Sequence, residues 1–367
     1  MINQISRFQL FVMIVLFEIG STPLFALGSS AKQDAWLSMS AAAIAGFLLL
    51  LLFLSIQQKA RDQDLIGLLK ICFGRILGTS LGVWFACYFA YESMRNVRDF
   101  GEIANLTLLS TTPKYITMFI ILLLAFYAIV MGVETLFRVT EALLPIVAFS
   151  YGFLIFLICI ARLIHLDNLL PIMENGPTPV LKAAFPDIVS FPFGQTVIFF
   201  MVWHMLPRDQ KIKRLSLAAY TSVSVFLIFM NILNIVVLGT TLASNSTLPL
   251  LEMVQLIEVG DIFERLDVLV TLLLFLGLFV KMTTFYWGSV YAMAHICPAI
   301  SKRYWLLLIG SIIFITSFLE PNYTYHTWLG LIVSVKVYPL FQVIIPLMMY
   351  ILLKIRKIPA PQSSPEA

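Results

Sequence analysis

The chain has 367 residues, of which 60% are hydrophobic and only 12% are charged, and its mean hydropathy is +0.93. A soluble globule of this length needs more polar surface than this composition supplies, so the sequence indicates an all-α integral membrane protein with many spans. The net charge of +4 comes from short loops, which excludes a basic face that could hold nucleic acid.

Ten apolar stretches of about 20 residues predict membrane helices. They cover residues 8–29, 36–56, 77–94, 116–133, 139–161, 187–206, 215–240, 266–293, 304–319 and 329–353. The third stretch runs into residues 92–109, which could extend its helix with a wet face. No soluble domain longer than a loop remains, so the whole chain is predicted to be one transmembrane domain with a short tail, residues 354–367.

The distribution of Lys and Arg predicts the orientation of these helices. If every stretch crosses the membrane, fifteen of the 24 Lys and Arg residues lie on the side that holds both chain ends, and seven lie on the other side. The remaining two, Lys281 and Lys336, lie within predicted helices. By the positive-inside rule, both termini are then cytoplasmic.

Two of the predicted helices are interrupted at corresponding points. Gly20-Ser21-Thr22-Pro23 interrupts the first, and Phe191-Pro192-Phe193-Gly194 interrupts the sixth, about 170 residues later. Interrupted helices at matching positions of two halves are typical of inverted-repeat transporters, whose substrate site lies at the breaks. We therefore predict two five-helix halves of opposite topology, at about 1–165 and 180–353. Two ordinary proline kinks are the simpler alternative.

The breaks also predict the kind of ligand. Free N–H groups that follow the first break suit a carboxylate, because they carry the positive end of a helix dipole. Free carbonyl groups before the second break suit an ammonium group. A zwitterionic amino acid satisfies both breaks, although a sugar or structural water would use the same groups.

Ionisable residues inside the predicted helices are the second signal, because each is costly in a bilayer unless it faces the protein interior. Glu18 lies two residues before the first break, and Lys281 lies in the middle of the eighth helix, shortly before Thr283 and Thr284. In a five-plus-five fold these helices touch beside the site. We predict that Glu18 and Lys281 face each other there and that Lys281 takes the place of a bound cation. A structural ion pair is the alternative.

Other polar residues give weaker signals. Tyr88, Tyr91 and Glu92 share one face of the third helix, and Asn231 and Asn234 on the seventh suit hydrogen bonds between helices better than ligand contacts. The four histidines and four cysteines form no metal-ligand or disulfide pattern. Motifs for phosphate binding or nucleophilic catalysis are absent from the sequence, so it predicts no enzyme activity, cofactor or metal.

Five short motifs occur in order along the chain. They are Glu18-Ile19-Gly20-Ser21-Thr22, Ala31-Lys32-Gln33-Asp34-Ala35-Trp36, Pro171-Ile172-Met173-Glu174-Asn175-Gly176, Phe191-Pro192-Phe193-Gly194-Gln195 and Glu264-Arg265-Leu266-Asp267. With them the chain resembles, over essentially its whole length, the B subunit of spore nutrient-germinant receptors, the GerAB/GerKB-like spore germination protein family. That family belongs to the amino acid/polyamine/organocation (APC) superfamily, so the resemblance implies the five-plus-five fold.

The resemblance further implies a receptor subunit in the inner membrane of a bacterial spore. Family members act with an A subunit and a lipoprotein C subunit, and the B subunit is thought to hold the nutrient, often an amino acid. The positions that match the family's motifs at the two breaks are Gly20, Ser21, Thr22, Phe191, Phe193, Gly194 and Gln195. Many members carry glutamate where this chain has Gln195, and a neutral amide there weakens the case for ammonium pairing at that point.

Three further expectations stay open at this stage. The chain could be an ordinary proton-coupled amino acid transporter, or a conduit for water or ions, instead of a receptor subunit. Residues 162–186 are expected to form an ordered outer loop that could roof the site or contact a partner. Glu264, Arg265 and Asp267 suit local capping and pairing at a helix start as well as ligand contact.

Overall fold

The computed structural model describes residues 5–207, 210–246, 248–257 and 266–355, and these contain helices but no β-strand. The α-helices are α1 Arg7–Ile19, α2 Ala35–Lys59, α3 Leu65–Phe73, α4 Arg75–Thr107, α5 Lys114–Val130, α6 Val133–Ile160, α7 Pro177–Ala183, α8 Ile212–Asn245, α9 Pro249–Gln255, α10 Leu266–Ile296, α11 Lys302–Thr316, α12 Tyr323–Trp328, α13 Val335–Pro339 and α14 Ile345–Ile355. The 3-10 helices are Thr22–Leu24, Ser29–Asp34, Leu166–Leu169, Phe193–Met201 and Trp203–Met205. The π-helical turns are Ala184–Ile188, Leu329–Ser334 and Leu340–Ile344. The predicted all-α class is confirmed.

Six helical segments among the described residues are long and apolar enough to cross a membrane. They are Ser29–Lys59, Val133–Ile160, Pro177–Met201, Ile212–Asn245, Leu266–Ile296 and Tyr323–Ile355. The other predicted stretches also overlap helices, but α1 has 13 residues, α11 has 15 and α5 has 17, and α4 carries several charges. The count of ten spans and the division into two repeats therefore stay predictions.

Helix α4 corrects one expectation about the third stretch. The helix does continue past its apolar part, to Thr107, but the polar face of this extension is not wet. Its charged and amide side chains from Glu92 to Glu102 are at most 7% exposed. A charged helix face is therefore buried against neighbouring segments, where each polar group needs a partner inside the protein.

Helices α4 and α10 form the centre of the bundle. The hydroxyl of Ser93 donates to the Met282 carbonyl at 3.0 Å, and that of Ser289 donates to the Ala86 carbonyl at 2.8 Å, so hydrogen bonds join the two helices at two levels. Helix α1 packs beside them, with the Phe17 and Phe285 rings 5.1 Å apart. This packing confirms that the first and eighth predicted helices touch.

Asp64 joins the start of α3 to the end of α10 at one end of the bundle. Its carboxylate accepts the Gly67 N–H at 2.8 Å, which caps α3, and contacts the His295 ring at 2.7 Å. Burial raises the pKa of Asp64, but the hydrogen bonds from His295 and Gly67 lower it by a larger amount. The pKa therefore lies below the ordinary value of 3.8. The charged form is thus favoured in the folded protein.

Asp64→Asn is expected to lower the stability of the purified protein at neutral pH by about 1 kcal/mol, through a weaker cap and a lost charge-assisted bond. Because the folded pKa of Asp64 is depressed, its charge stabilises the fold above the unfolded pKa, and this contribution is lost as pH falls through the folded pKa. The gap in thermal midpoint between wild type and Asp64→Asn should therefore be full at pH 7 and shrink below about pH 4. A gap that stays constant down to pH 3 would contradict this assignment.

Candidate ligand-binding site

The first break lies directly after α1. Gly20 follows the helix with φ of 26°, a left-handed backbone conformation that favours glycine. A Cβ atom at Gly20 would lie 2.6 Å from the Phe17 carbonyl oxygen and 2.7 Å from Cδ of Lys281. The Thr22 hydroxyl donates to the Glu18 carbonyl at 2.6 Å, which satisfies one acceptor left free by the end of the helix. The predicted interruption of the first helix is confirmed.

The second break separates Ser190 from the 3-10 helix that begins at Phe193. The amide of Gln342 donates to the Ser190 carbonyl at 3.0 Å and to the Tyr88 hydroxyl at 2.8 Å. A Cβ atom at Gly194 would overlap the Gln342 side chain, so glycine makes room for this contact. One carbonyl expected to await an ammonium group is therefore already bonded within the protein.

Lys281 brings the two breaks together. Its amino group lies 4.5 Å from the centre of the Phe191 ring and 5.5 Å from that of Phe17, which are distances of cation–π contact. The Phe25 and Phe191 rings, which follow the first break and mark the second, are 5.6 Å apart. The interruptions are thus neighbours, and a buried ammonium group lies between them.

Glu18 and Lys281 are both fully buried, yet neither side chain has a hydrogen-bond or ion-pair partner among the described residues. Within the described residues, no hydrogen-bond partner is found for either carboxylate oxygen of Glu18 or for the amino group of Lys281. No ion pair joins the two side chains among these residues either, so the predicted face-to-face arrangement is not a direct salt bridge. Buried charges without partners are costly. Two unsatisfied groups of opposite sign beside the two breaks are the arrangement that a zwitterionic ligand would satisfy.

Gln195 reaches a different acid. Its amide nitrogen donates to one carboxylate oxygen of Glu92 at 2.6 Å. The amide oxygen of Gln195 and the other carboxylate oxygen of Glu92 have no partner in the described part of the chain. The sequence placed Glu92 on one helix face with Tyr88 and Tyr91 but did not predict this pair. An amide at position 195 can donate to Glu92, which an ionised glutamate cannot do. The pair thus adds two buried oxygen atoms without partners to those of Glu18.

The other predicted site residues differ in their surroundings. Phe193 packs on Tyr220, with ring centres 5.5 Å apart, whereas Phe191 contacts Lys281. Ser21 is buried at 2% exposure. The Thr284 hydroxyl is bonded to the carbonyl one turn earlier at 2.6 Å, whereas the Thr283 hydroxyl has no partner in the residues described. Of the two threonines, Thr283 is therefore the better candidate for ligand contact.

Two of the sequence motifs meet on the far side of the first break. The Asp34 carboxylate accepts the Met173 N–H at 3.0 Å, and the Gln33 amide donates to the Pro171 carbonyl at 2.9 Å. The Asn231 amide donates to the Leu27 carbonyl at 2.9 Å, so Asn231 makes a structural bond, but to the turn after the first break and not to another helix. Residues 171–173 of the predicted outer loop are therefore held against the segment that follows the first break. Glu264 and Arg265 lie outside the described residues.

A second buried polar cluster was missed by sequence reasoning. His326 is fully buried and contacts two acids, Asp99 at 3.1 Å and Glu320 through its other ring nitrogen. Arg95 donates to the His326 carbonyl at 2.9 Å, and a Cβ atom at Gly330 would overlap the Arg95 guanidinium. We call these residues, Arg95, Asp99, Glu320 and His326, the His326 cluster. It joins α4 to α12 and to the segment just before α12.

The charged residues beyond this cluster are also paired. Arg98 donates to the Ser317 carbonyl at 2.9 Å and forms an ion pair with Glu102 at 2.7 Å. Lys114 at the start of α5 binds the same carboxylate at 2.6 Å. Lys336, by contrast, is exposed, which agrees with a side chain that reaches the membrane surface and not with a place in the site. Lys281 thus differs from Arg98 and Lys114 because it has no polar partner within the described chain, and from Lys336 because it is buried.

Gly277 allows α10 to approach the first break. A Cβ atom there would overlap the Gly20 carbonyl oxygen and lie 2.9 Å from the Gly20 carbonyl carbon. Gly277→Ala is expected to cost about 1–3 kcal/mol, because backbone cannot move aside easily. Gly152→Ala in α6 is the control, since a Cβ atom at Gly152 meets nothing within 4 Å and alanine favours a helix. Thermal denaturation should show a lower midpoint for Gly277→Ala alone, and equal midpoints would contradict the close approach.

The fold and the two adjoining breaks define the class of this chain as an all-α integral membrane protein with two interrupted helices. The crystal structure of MhsT in complex with L-phenylalanine is similar to it with a TM-score of 0.64, over 96% of this chain and 99% of that chain, at 13% identity. At this identity the likeness shows the fold alone, and it supports the predicted all-α class.

The particular family is shown by sequence. The chain belongs to the spore germination protein family, whose model matches residues 4–325. Spore germination protein KB of Bacillus subtilis (strain 168) is 30% identical over 95% of this chain and 94% of that protein. Spore germination protein B2 of the same strain is 28% identical over 89% of this chain and 91% of that protein. The resemblance found in the five motifs is thereby confirmed.

Proposed function

We propose that this chain is the membrane subunit of a spore germinant receptor and that it binds a small zwitterionic nutrient, an amino acid, where the two helix breaks meet. The observation that carries the proposal is the pair of fully buried, unpartnered groups at this point, Glu18 and Lys281. Family membership and a fold shared with MhsT, a protein crystallised with L-phenylalanine, support it.

In this arrangement the nutrient carboxylate binds the Lys281 ammonium and the backbone at the first break, and the nutrient ammonium binds the Glu18 carboxylate. Each contact replaces an unsatisfied buried charge by a charge-assisted hydrogen bond. The Phe191 ring lies over the same lysine and would contact an apolar part of the ligand. Binding would favour one conformation of the subunit, and the difference in affinity between two conformations would carry the signal.

The surroundings of the chain are part of the same proposal. We infer from the family resemblance that A-type and C-type subunits receive this signal, and that the complex lies in the inner membrane of the spore. The Ile5 N–H bonds to the Met205 carbonyl at 3.4 Å, and the Lys59 amino group lies 5.2 Å from the centre of the Tyr350 ring near the end of α14. Arg61 after α2 bonds to Gln210 before α8. The start of α1 and the end of α14 thus lie at the end of the bundle that carries these basic residues, which supports cytoplasmic termini.

Thermal stabilisation of the purified subunit by a panel of amino acids and sugars tests the proposal. A ligand at about a hundred times its dissociation constant adds about 2.7 kcal/mol to the stability of the folded state, which a thermal scan detects readily. We expect stabilisation by one or a few amino acids and no effect of the sugars. A panel without any stabilising amino acid, in protein that is folded and monodisperse, would overturn the proposal.

A transporter is the second candidate, because the fold is shared with MhsT. The stabilising amino acid, labelled and offered to proteoliposomes that contain this chain alone, separates the two functions. A receptor subunit should bind it without net uptake, with or without a proton gradient. Uptake that depends on the gradient would favour the transporter.

A further inference from the structure

The end of the bundle at which α1 begins and α14 ends also holds a basic groove between α2 and α8. Its volume is about 570 Å³. The described residues that line it are Leu54, Gln57, Gln58, Arg61, Gln210, Lys211, Ile212, Lys213, Arg214 and Leu217. Four of them are cations, and none of these ten is an acid. We propose that this groove binds the phosphate of an anionic phospholipid headgroup.

Arg61 makes the groove a preformed site. Its guanidinium donates to the Pro207 carbonyl at 2.8 Å and to the Gln210 carbonyl at 2.5 Å, so it is fixed between the end of α2 and the start of α8. Its Nε atom is buried and has no partner among the described residues. A fixed guanidinium with a donor to spare matches the geometry of phosphate oxygens.

The remaining cations come from the first turn of α8. Lys211, Lys213 and Arg214 are exposed, and the backbone N–H groups of this helix start have no side-chain cap. The oriented N–H groups and these three exposed cationic side chains add to the attraction that Arg61 exerts on an anion. The groove therefore concentrates positive charge from two helices around one space.

The position of the groove favours a lipid as the source of the phosphate. Helices α2 and α8 belong to two of the segments that can cross a membrane, and the groove lies where the first ends and the second begins, at the level of the headgroups. Leu54, Ile212 and Leu217 supply an apolar side to the same groove. A lipid can place its phosphate among the cations and the start of its acyl chains on the leucines, whereas free phosphate uses the cations alone.

The test uses the purified full chain in a neutral detergent, titrated with dioctanoyl phosphatidylglycerol, dioctanoyl phosphatidylcholine or inorganic phosphate. Bound lipid is counted by native mass spectrometry, and stability is followed by thermal scans. Phosphatidylglycerol is expected to bind and to raise the thermal midpoint, and 0.5 M NaCl is expected to weaken this effect. Phosphatidylcholine, whose headgroup is neutral overall, is expected to have no comparable effect.

Lys213→Gln/Arg214→Gln should weaken phosphatidylglycerol binding on the order of tenfold or more, since each cation near an anionic lipid contributes appreciably. The matched control is Arg303→Gln/Lys354→Gln, which removes the same charge from two other exposed helix ends and should leave binding unchanged. Equal losses in both variants would show bulk attraction to charge and overturn the site. Inorganic phosphate that binds as tightly as the lipid would overturn the lipid assignment. Should the double variant fail to fold, Arg214→Gln alone is scored in the same way.

Discussion

Lys281→Met is expected to abolish stabilisation by the nutrient while the protein still folds and inserts into membranes. Methionine keeps most of the volume beside Phe17 and Phe191 but removes the ammonium group that lies over both rings. Loss of one partner of a buried charge pair costs about 2–5 kcal/mol, so the nutrient's affinity should fall at least about thirtyfold. The dose dependence of the thermal midpoint, measured with the stabilising amino acid, gives this change directly.

The control for this variant is Lys336→Met, which removes an exposed lysine and should leave the dose dependence unchanged. Glu18→Gln keeps the shape of the other unpartnered side chain and should weaken the contact with the nutrient ammonium. If Lys281→Met protein is folded and responds with the wild-type midpoint, the ammonium group does not touch the ligand. The site between the two breaks would then need another anion-binding group, for which the Thr283 hydroxyl and backbone N–H groups remain.

The two breaks could be predicted from the sequence because their causes are local. Glycine and proline favour the interruption of a helix through their own backbone properties, and Gly20 and Pro192 stand at the two breaks. The expected arrangement of two five-helix halves predicted that the two breaks lie close together and that α10 lies beside α1. The depth of Lys281 followed from its place in the middle of an apolar run. Each of these inferences needs only residue type and position along a helix.

The pairing of the polar side chains could not be predicted in the same way. The wet face expected for residues 92–109 is the clearest error. Arg95 and Asp99 look exposed in sequence, because their partner His326 lies more than 200 residues later in the chain. Which acid Gln195 meets depends similarly on the rotation of α4 about its axis, and a single sequence gives no rotation. The contacts that decide the site chemistry are therefore long-range, even though the helices that carry them are locally specified.

The His326 cluster is expected to be a structural lock whose loss destabilises the protein without altering ligand recognition. Within the described residues, no hydrogen bond or ion pair joins its members to the side chains of Glu18 or Lys281. His326→Leu removes both ring nitrogens and leaves the Asp99 and Glu320 carboxylates buried without this partner. Breaking a buried charged network by removing one partner costs about 3–5 kcal/mol. The apparent thermal midpoint in detergent should fall by far more than in the control His165→Leu, where the histidine is exposed.

A second substitution separates the loss of the polar contacts of His326 from a loss of packing alone. Adding Asp99→Asn to His326→Leu removes one of the two stranded charges, so part of the lost stability should return. In all these variants the nutrient should still raise the midpoint when the scan begins well below the unfolding temperature, because the groups at the two breaks are unchanged. A His326→Leu protein of normal stability that no longer responds to the nutrient would instead place this cluster in signal transmission, since α4 carries both Asp99 and the Glu92 that binds Gln195.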